Sequence, residues 1–135
     1  MVRSTRLFLL LLGLSLVGLS LANPLPGRAD GPQVTRNEVE AEFPKLITFH
    51  LAVDDSPADI ESIELEYGND QLACAIATAR VEPDDFKPGK VINASWTWDL
   101  RQSGSLAPGS RIWWRWHLTD QSGQTFSLAE QEFFF

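Results

Sequence analysis

The sequence predicts an all-β protein, an immunoglobulin-like or fibronectin-III-like β-sandwich of about seven strands preceded by a signal-peptide helix. Three observations carry that prediction. From residue 34 onward apolar residues recur with period two, the mark of half-buried strands. Clusters of Gly, Pro, Asp, Asn and Ser interrupt these runs at the spacing of sandwich turns. No long helical period competes with them outside the N-terminal leader. A closed barrel satisfies the same pattern and stays open as the alternative.

The leader comes first. Arg3 and Arg6 supply a positive start, Leu7 to Leu21 is an uninterrupted apolar run of 15 residues, and Ser20 and Ala22 occupy the small-residue positions of a cleavage site. The expectation is export to the extracellular space or cell surface, with residues 1–22 removed after Ala22. The run is shorter than the roughly 20 residues a membrane-spanning helix needs. Membrane contact therefore enters only if the segment stays uncleaved as an anchor. No Cys follows the apolar run, so lipoprotein anchoring is not expected. Residues 23–33 form a spacer, in which "NPLPGRADGP" holds three prolines and two glycines. Residues 34–135 form the sandwich domain.

"EVEAEF" alternates Val39, Ala41 and Phe43 with glutamates, and Pro44 stops it. "KLITFHLAV" turns Ile47, Phe49, Leu51 and Val53 to one side and Thr48, His50 and Ala52 to the other. After the turn-rich "DDSPAD", "IESIELEYG" sets Ile63, Leu65 and Tyr67 against Ser62, Glu64 and Glu66, and Gly68-Asn69-Asp70 turns the chain. "LACAIATARV" is ambiguous, because its alanines also suit a helix. The alternation of Leu72, Cys74, Ile76 and Thr78 between neighbouring strands favours a strand. "EPDDFKPGK" is a loop, "VINASWTWDL" a strand with Ile92, Ala94, Trp96, Trp98 and Leu100 inward, and "RQSGSLAPGS" a second loop. "RIWWRWHL" then places Ile112, Trp114, Trp116 and Leu118 on one face and Arg111, Trp113, Arg115 and His117 on the other. "TDQSGQ" is a tight connection with Gly123 free for a positive φ, and "TFSLAEQEFFF" is the last strand.

Charge narrows the partners. Of 11 basic residues two lie in the leader, leaving nine against 18 acidic ones, a net charge of −9 after cleavage. Such a surface disfavours nucleic acid and anionic membranes and supports solubility. Cys74 is the only cysteine, so no intrachain disulfide forms, and it reads as a small buried hydrophobe.

Catalytic signatures are missing from the sequence. A zinc peptidase motif needs two histidines four apart on a helix with a glutamate between them. His50 and His117 each stand alone in a strand, and meet only if their strands are neighbours in one sheet. No Gly-x-Ser-x-Gly elbow and no glycine-rich phosphate loop occurs. Asp54-Asp55, Asp84-Asp85 and Asp120 lack calcium-loop spacing and read as solvated turn carboxylates. Asn93-Ala94-Ser95 matches a glycosylation sequon, which has meaning only in a eukaryotic secretory pathway. No catalytic, cofactor-binding or metal-ligating residue is assigned, no cofactor is expected, and the chain reads as a non-enzyme.

Aromatic residues stand above background. Trp96, Trp98, Trp114 and Trp116 fall on inward faces, each indole burying on the order of 150–250 Å². Alternation turns Trp113 outward between Arg111 and Arg115. Two readings compete for it. In one the guanidinium groups cover the indole in a cation–π stack. In the other Trp113 is a platform for a sugar ring, a peptide or a neighbouring domain, with Arg111, Arg115 and His117 as polar neighbours. The terminal "EQEFFF" adds Phe133, Phe134 and Phe135, at least one of which must point outward. This suggests a surface covered by a partner or by further protein.

Three stretches, "ADIESIELEYG", "INASWTWDLRQSGSLAPGSRIWWRWHLTDQSG" and "LAEQEFFF", resemble the N-terminal region of exported bacterial peptidase MA-like metallohydrolases. The resemblance spans most of Val34 to Phe135. It implies an immunoglobulin-like domain that precedes a gluzincin-type zinc peptidase domain. The family's histidine–glutamate motif has no counterpart here, so no catalytic residue carries over. What the resemblance implies is an accessory or interaction module without its enzyme, with a protein partner or an adjoining peptidase domain. The alternative is a carbohydrate- or cell-surface-binding module that uses the outward Trp face.

Overall fold

The computed structural model describes residues 31–69, 78–103 and 106–135. They form eight strands, β1 (Gln33–Glu42), β2 (Leu46–Asp55), β3 (Ile60–Asn69), β4 (Ala79–Val81), β5 (Ile92–Asp99), β6 (Arg111–Asp120), β7 (Thr125–Ser127) and β8 (Gln131–Phe134), with one short helix, α1 (Leu100–Ser103). All strand pairings are antiparallel. One sheet has the order β1-β2-β5, the other β4-β3-β6-β7, and β8 also pairs with β6. The architecture is an all-β, sandwich-like pair of antiparallel sheets. The leader, most of the spacer and the stretch from Leu72 to Ala77, with Cys74, lie outside the described residues.

The period-two pattern explains which side of each strand is buried. Ile47, Phe49, Leu51 and Val53 of β2 face Ile63, Leu65 and Tyr67 of β3 and Ile112, Trp114, Trp116 and Leu118 of β6 in one core. Phe49, Val53, Leu65, Trp116 and Leu118 have no exposed surface. Burying a large apolar side chain fully contributes about 1.5–3 kcal/mol, so these inward rows supply most of the drive to stack the sheets. Phe49 touches rings on both layers, with centroids 5.8 Å from Tyr67, 6.2 Å from Trp96 and 5.6 Å from Trp114. Trp114 carries an N–H into this core and donates it to Asn37 Oδ1 of β1 at 2.9 Å, a hydrogen bond that spans the two sheets.

Four local expectations change. Leu100 and the start of the predicted loop form α1, because Asp99 caps it. Its Oδ1 accepts the Arg101 N–H at 3.0 Å, the N-terminal cap geometry, while Leu100 is 1% exposed and anchors the turn in the core. Trp96 and Trp98 point inward but are only half-buried, because β5 is the last strand of its sheet. Tyr67 fills the space beside them, 4.9 Å from each ring. Phe43 follows β1 rather than belonging to its inward row and is 66% exposed.

The last predicted strand is divided. His117 pairs with Ser127, yet Trp114 pairs with Gln131, so one extra residue is accommodated between β7 and β8. A one-residue insertion exchanges the two faces of the strand beyond it. Phe126 and Leu128 face the core before it, and Phe133 and Phe135 face the core after it. Without it, Glu130 and Glu132 would be the residues driven inward.

Candidate interaction surfaces

The outer face of the β4-β3-β6 sheet gathers four of the residues singled out from the sequence, Arg111, Trp113, Arg115 and His117, at alternate positions of β6. Gly68 of β3 lies directly opposite Trp113, and Glu132 of β8 lies opposite it on the other side. The indole lies down on the glycine. A Cβ built on Gly68 would stand 2.6 Å from Trp113 Cζ2 and 2.8 Å from Cε2, well inside van der Waals contact. Gly68 is therefore required by the space the ring occupies.

Charged pairs border this ring. Arg111 Nε donates to Glu132 Oε2 at 2.7 Å, and Arg115 Nη2 donates to Glu130 Oε2 at 3.0 Å. The carboxylates of β8 and of the segment before it thus hold both guanidinium groups expected to stack on Trp113. The next row is a relay across four strands. His117 contacts Ser127 Oγ through Nδ1 at 2.8 Å and Glu66 Oε2 through Nε2 at 2.9 Å, and Arg80 bridges Glu66 and Glu64 at 3.3 and 3.1 Å. The His117 hydrogen bond, assisted by Arg80, holds the Glu66 carboxyl below the usual carboxylate range. Serine, imidazole and carboxylate have the connectivity of an acyl-transfer relay. Ser127, however, ends β7 on an open face, and α1 lies at the far pole, where its N–H groups do not reach it. Beside His117 a polar depression of about 250 Å³ is lined in part by Ser62, Glu64, Arg80, Thr119 and Thr125.

A second surface lies at the pole where β1, β3, β5 and β8 end. Here the terminal phenylalanines separate. Phe133 is opposite Ile112 and half-buried against the core, Phe134 is 63% exposed opposite Arg111, and Phe135 stacks on Phe43 with centroids 5.4 Å apart. Phe135 is held by two backbone hydrogen bonds, from Gly109 N to its carbonyl at 2.6 Å and from its own N–H to Ser110 O at 3.0 Å. The β1–β2 turn is tied to α1 by the Leu100 N–H on Lys45 O at 2.9 Å. The pole thus presents aromatic rings on a backbone tied by hydrogen bonds.

The remaining candidates separate. His50 faces outward from β2 and His117 from β6, on opposite sheets, so the thickness of the sandwich, about 10 Å between sheets, keeps them apart. Among the described residues no three His, Cys, Asp or Glu side chains come together as a metal site. The acidic turns have local work. Asp85 accepts the Ser95 N–H and hydroxyl at the edge of β5, at 3.2 and 2.9 Å. Asp120 Oδ1 caps the β6–β7 turn by accepting from Ser122 and Gln124, and these bonds hold its carboxyl below the usual range.

Sequence alone does not single out Gly68, Glu66, Ser127 or Phe43 as site residues. Gly68 reads as part of a turn, and Phe43 as an inward strand residue. Glu66 and Ser127 lie 51 and 10 residues from His117 and meet it only through strand pairing. No family model, curated protein or solved structure matches the chain.

Proposed function

We propose that the chain is an exported immunoglobulin-like or fibronectin-III-like accessory module that contributes no catalytic group and docks a protein partner through its aromatic pole. The observation that carries this reading is the exposure of Phe43 and Phe134 at one pole, with Phe135 stacked on Phe43. Large apolar side chains grouped on a surface normally mark an interface. The strand order supports the finer fold type. The sheet β1-β2-β5 facing the run β3-β6-β7 matches the seven-stranded immunoglobulin order except that β4 pairs with β3 instead of β5, with β8 continuing the edge that β7 begins. The similarity of its sequence to the peptidase MA-like N-terminal region points to a zinc peptidase domain as the partner, encoded in the same or a neighbouring reading frame.

The test has two steps. DNA beyond codon 135 is read in all frames for a histidine–glutamate zinc motif within a few hundred codons; its absence removes the peptidase as partner. Where the motif is present, the encoded domain is produced with the wild-type chain and with a Phe43→Ser, Phe134→Ser variant. Co-purification with the wild type and loss with the variant is the expected result. Equal co-purification of both would place the interface elsewhere. Detection of the mature chain outside the cell, starting at Asn23, tests export.

A further inference from the structure

From the outer sheet face we infer a binding site for neutral oligosaccharides, with Trp113 as its stacking platform and the depression beside His117 as its second subsite. The platform rests on Gly68. Its φ lies outside the left-handed range, so the backbone there does not demand glycine. What demands it is the indole, which takes the space a Cβ would fill. A tryptophan laid flat on the backbone of a neighbouring strand turns one ring face to the protein and the opposite face outward, and Trp113 keeps part of its surface in solvent. The π face of an indole is electron-rich. The C–H groups on one side of a pyranose ring are weakly positive and apolar, and complement it.

Charge selects the ligand class. The mature chain carries a net −9, yet on this face each cation is matched. Arg111 pairs with Glu132, Arg115 with Glu130, and Arg80 with Glu64 and Glu66. The face thus carries three guanidinium groups against four paired carboxylates and is bordered by both donors and acceptors, which suits hydroxyl groups rather than a phosphate or a polyanion. Because the pairs hold one another in place, little side-chain ordering remains to oppose binding. Length selects more than one sugar. Trp113 and His117 are four residues apart on β6, about 13 Å at strand rise. A ring on Trp113 and another in the depression of about 250 Å³ lined by Ser62, His117 and Thr125 lie on one line along the strand.

Titration of the purified chain with neutral cello- and chito-oligosaccharides, by calorimetry and by indole N–H NMR, tests the inference. Saturable binding is expected, with the Trp113 indole signal shifting and those of the buried Trp114 and Trp116 unmoved. Trp113→Ala should weaken affinity by at least about tenfold, and Gly68→Ala, which lifts the ring, should weaken it as well. Absence of saturable binding, a Trp113→Ala affinity within about twofold of wild type, or preference for a polyanionic oligosaccharide overturns the inference. If Trp113→Ala fails to fold, the wild-type indole shifts decide alone. Phe134 borders the platform through its pairing with Arg111, so the control is Phe43→Ser alone, which should bind sugar as wild type does; failure of the pole as a docking surface and failure of this site are then read separately.

Discussion

Replacing Gly68 by alanine tests the packing of Trp113, and the cost depends on which residue stands at 113. In the wild-type background the new Cβ meets Cζ2 at 2.6 Å, Cε2 at 2.8 Å and Nε1 at 3.0 Å. All three atoms belong to a rigid bicyclic ring, so no flexible end gives way. Either the ring rotates off the sheet or the strands shift, and such overpacking costs about 1–3 kcal/mol. Against this, alanine in a strand interior is better than glycine by about 0.5–1 kcal/mol. The net expectation is a loss of about 0.5–2 kcal/mol. For a domain of this size each kcal/mol moves Tm by about 4–8 °C. With Trp113 already replaced by alanine there is nothing for the Cβ to strike. Gly68→Ala should then be neutral or stabilising by about 0.4–1 kcal/mol, through the smaller entropy of the unfolded chain. Urea unfolding of the wild type, both single variants and the double variant closes the cycle. A coupling energy of about 1 kcal/mol or more, with a change of sign, is expected. An equal cost for Gly68→Ala in both backgrounds would refute the seat.

Two further outcomes follow from polar contacts between strands. Asn37→Ala removes the acceptor of the Trp114 indole N–H, held at 2.9 Å across the sheets. A buried donor left unpaired costs about 1–3 kcal/mol, so the urea midpoint should fall with little change in slope, whereas Asn37→Asp, which keeps the acceptor, should recover most of it. Glu66→Gln tests the relay through its pH dependence. Because the folded state lowers the carboxyl's pKa, chiefly by the His117 hydrogen bond, its contribution is present above the ordinary carboxylate range and lost as pH falls through the lowered value. The variant should be less stable than wild type near pH 7, with the gap closing as pH falls below the ordinary carboxylate range; a gap independent of pH would refute the assignment.

Much of the fold was legible because strand periodicity is local. The rows Ile47-Phe49-Leu51-Val53 and Ile112-Trp114-Trp116-Leu118 bury as alternation requires, since successive side chains on any strand take opposite faces. The same rule placed Arg111, Trp113, Arg115 and His117 together on the outward side. Alternation does not report which strands are neighbours or where one ends. Trp96 and Trp98 lose cover because β5 lies at an edge, and Asp99 converts a predicted loop into a capped turn of helix.

Sequence by itself determined the sidedness of β2, β3 and β6, since within an unbroken strand that depends only on the pleat. Tertiary structure decided everything that depends on register. The extra residue between β7 and β8 put Phe133 and Phe135 inside and Phe134 outside, so that both apolar runs face the core while Glu130 and Glu132 stay in water. Strand pairing brought Gly68 beneath Trp113 and Glu66 to His117, contacts between residues 45 and 51 positions apart in the chain. A strand's own sequence specifies its two faces, whereas its partners are chosen by the packing of the whole core.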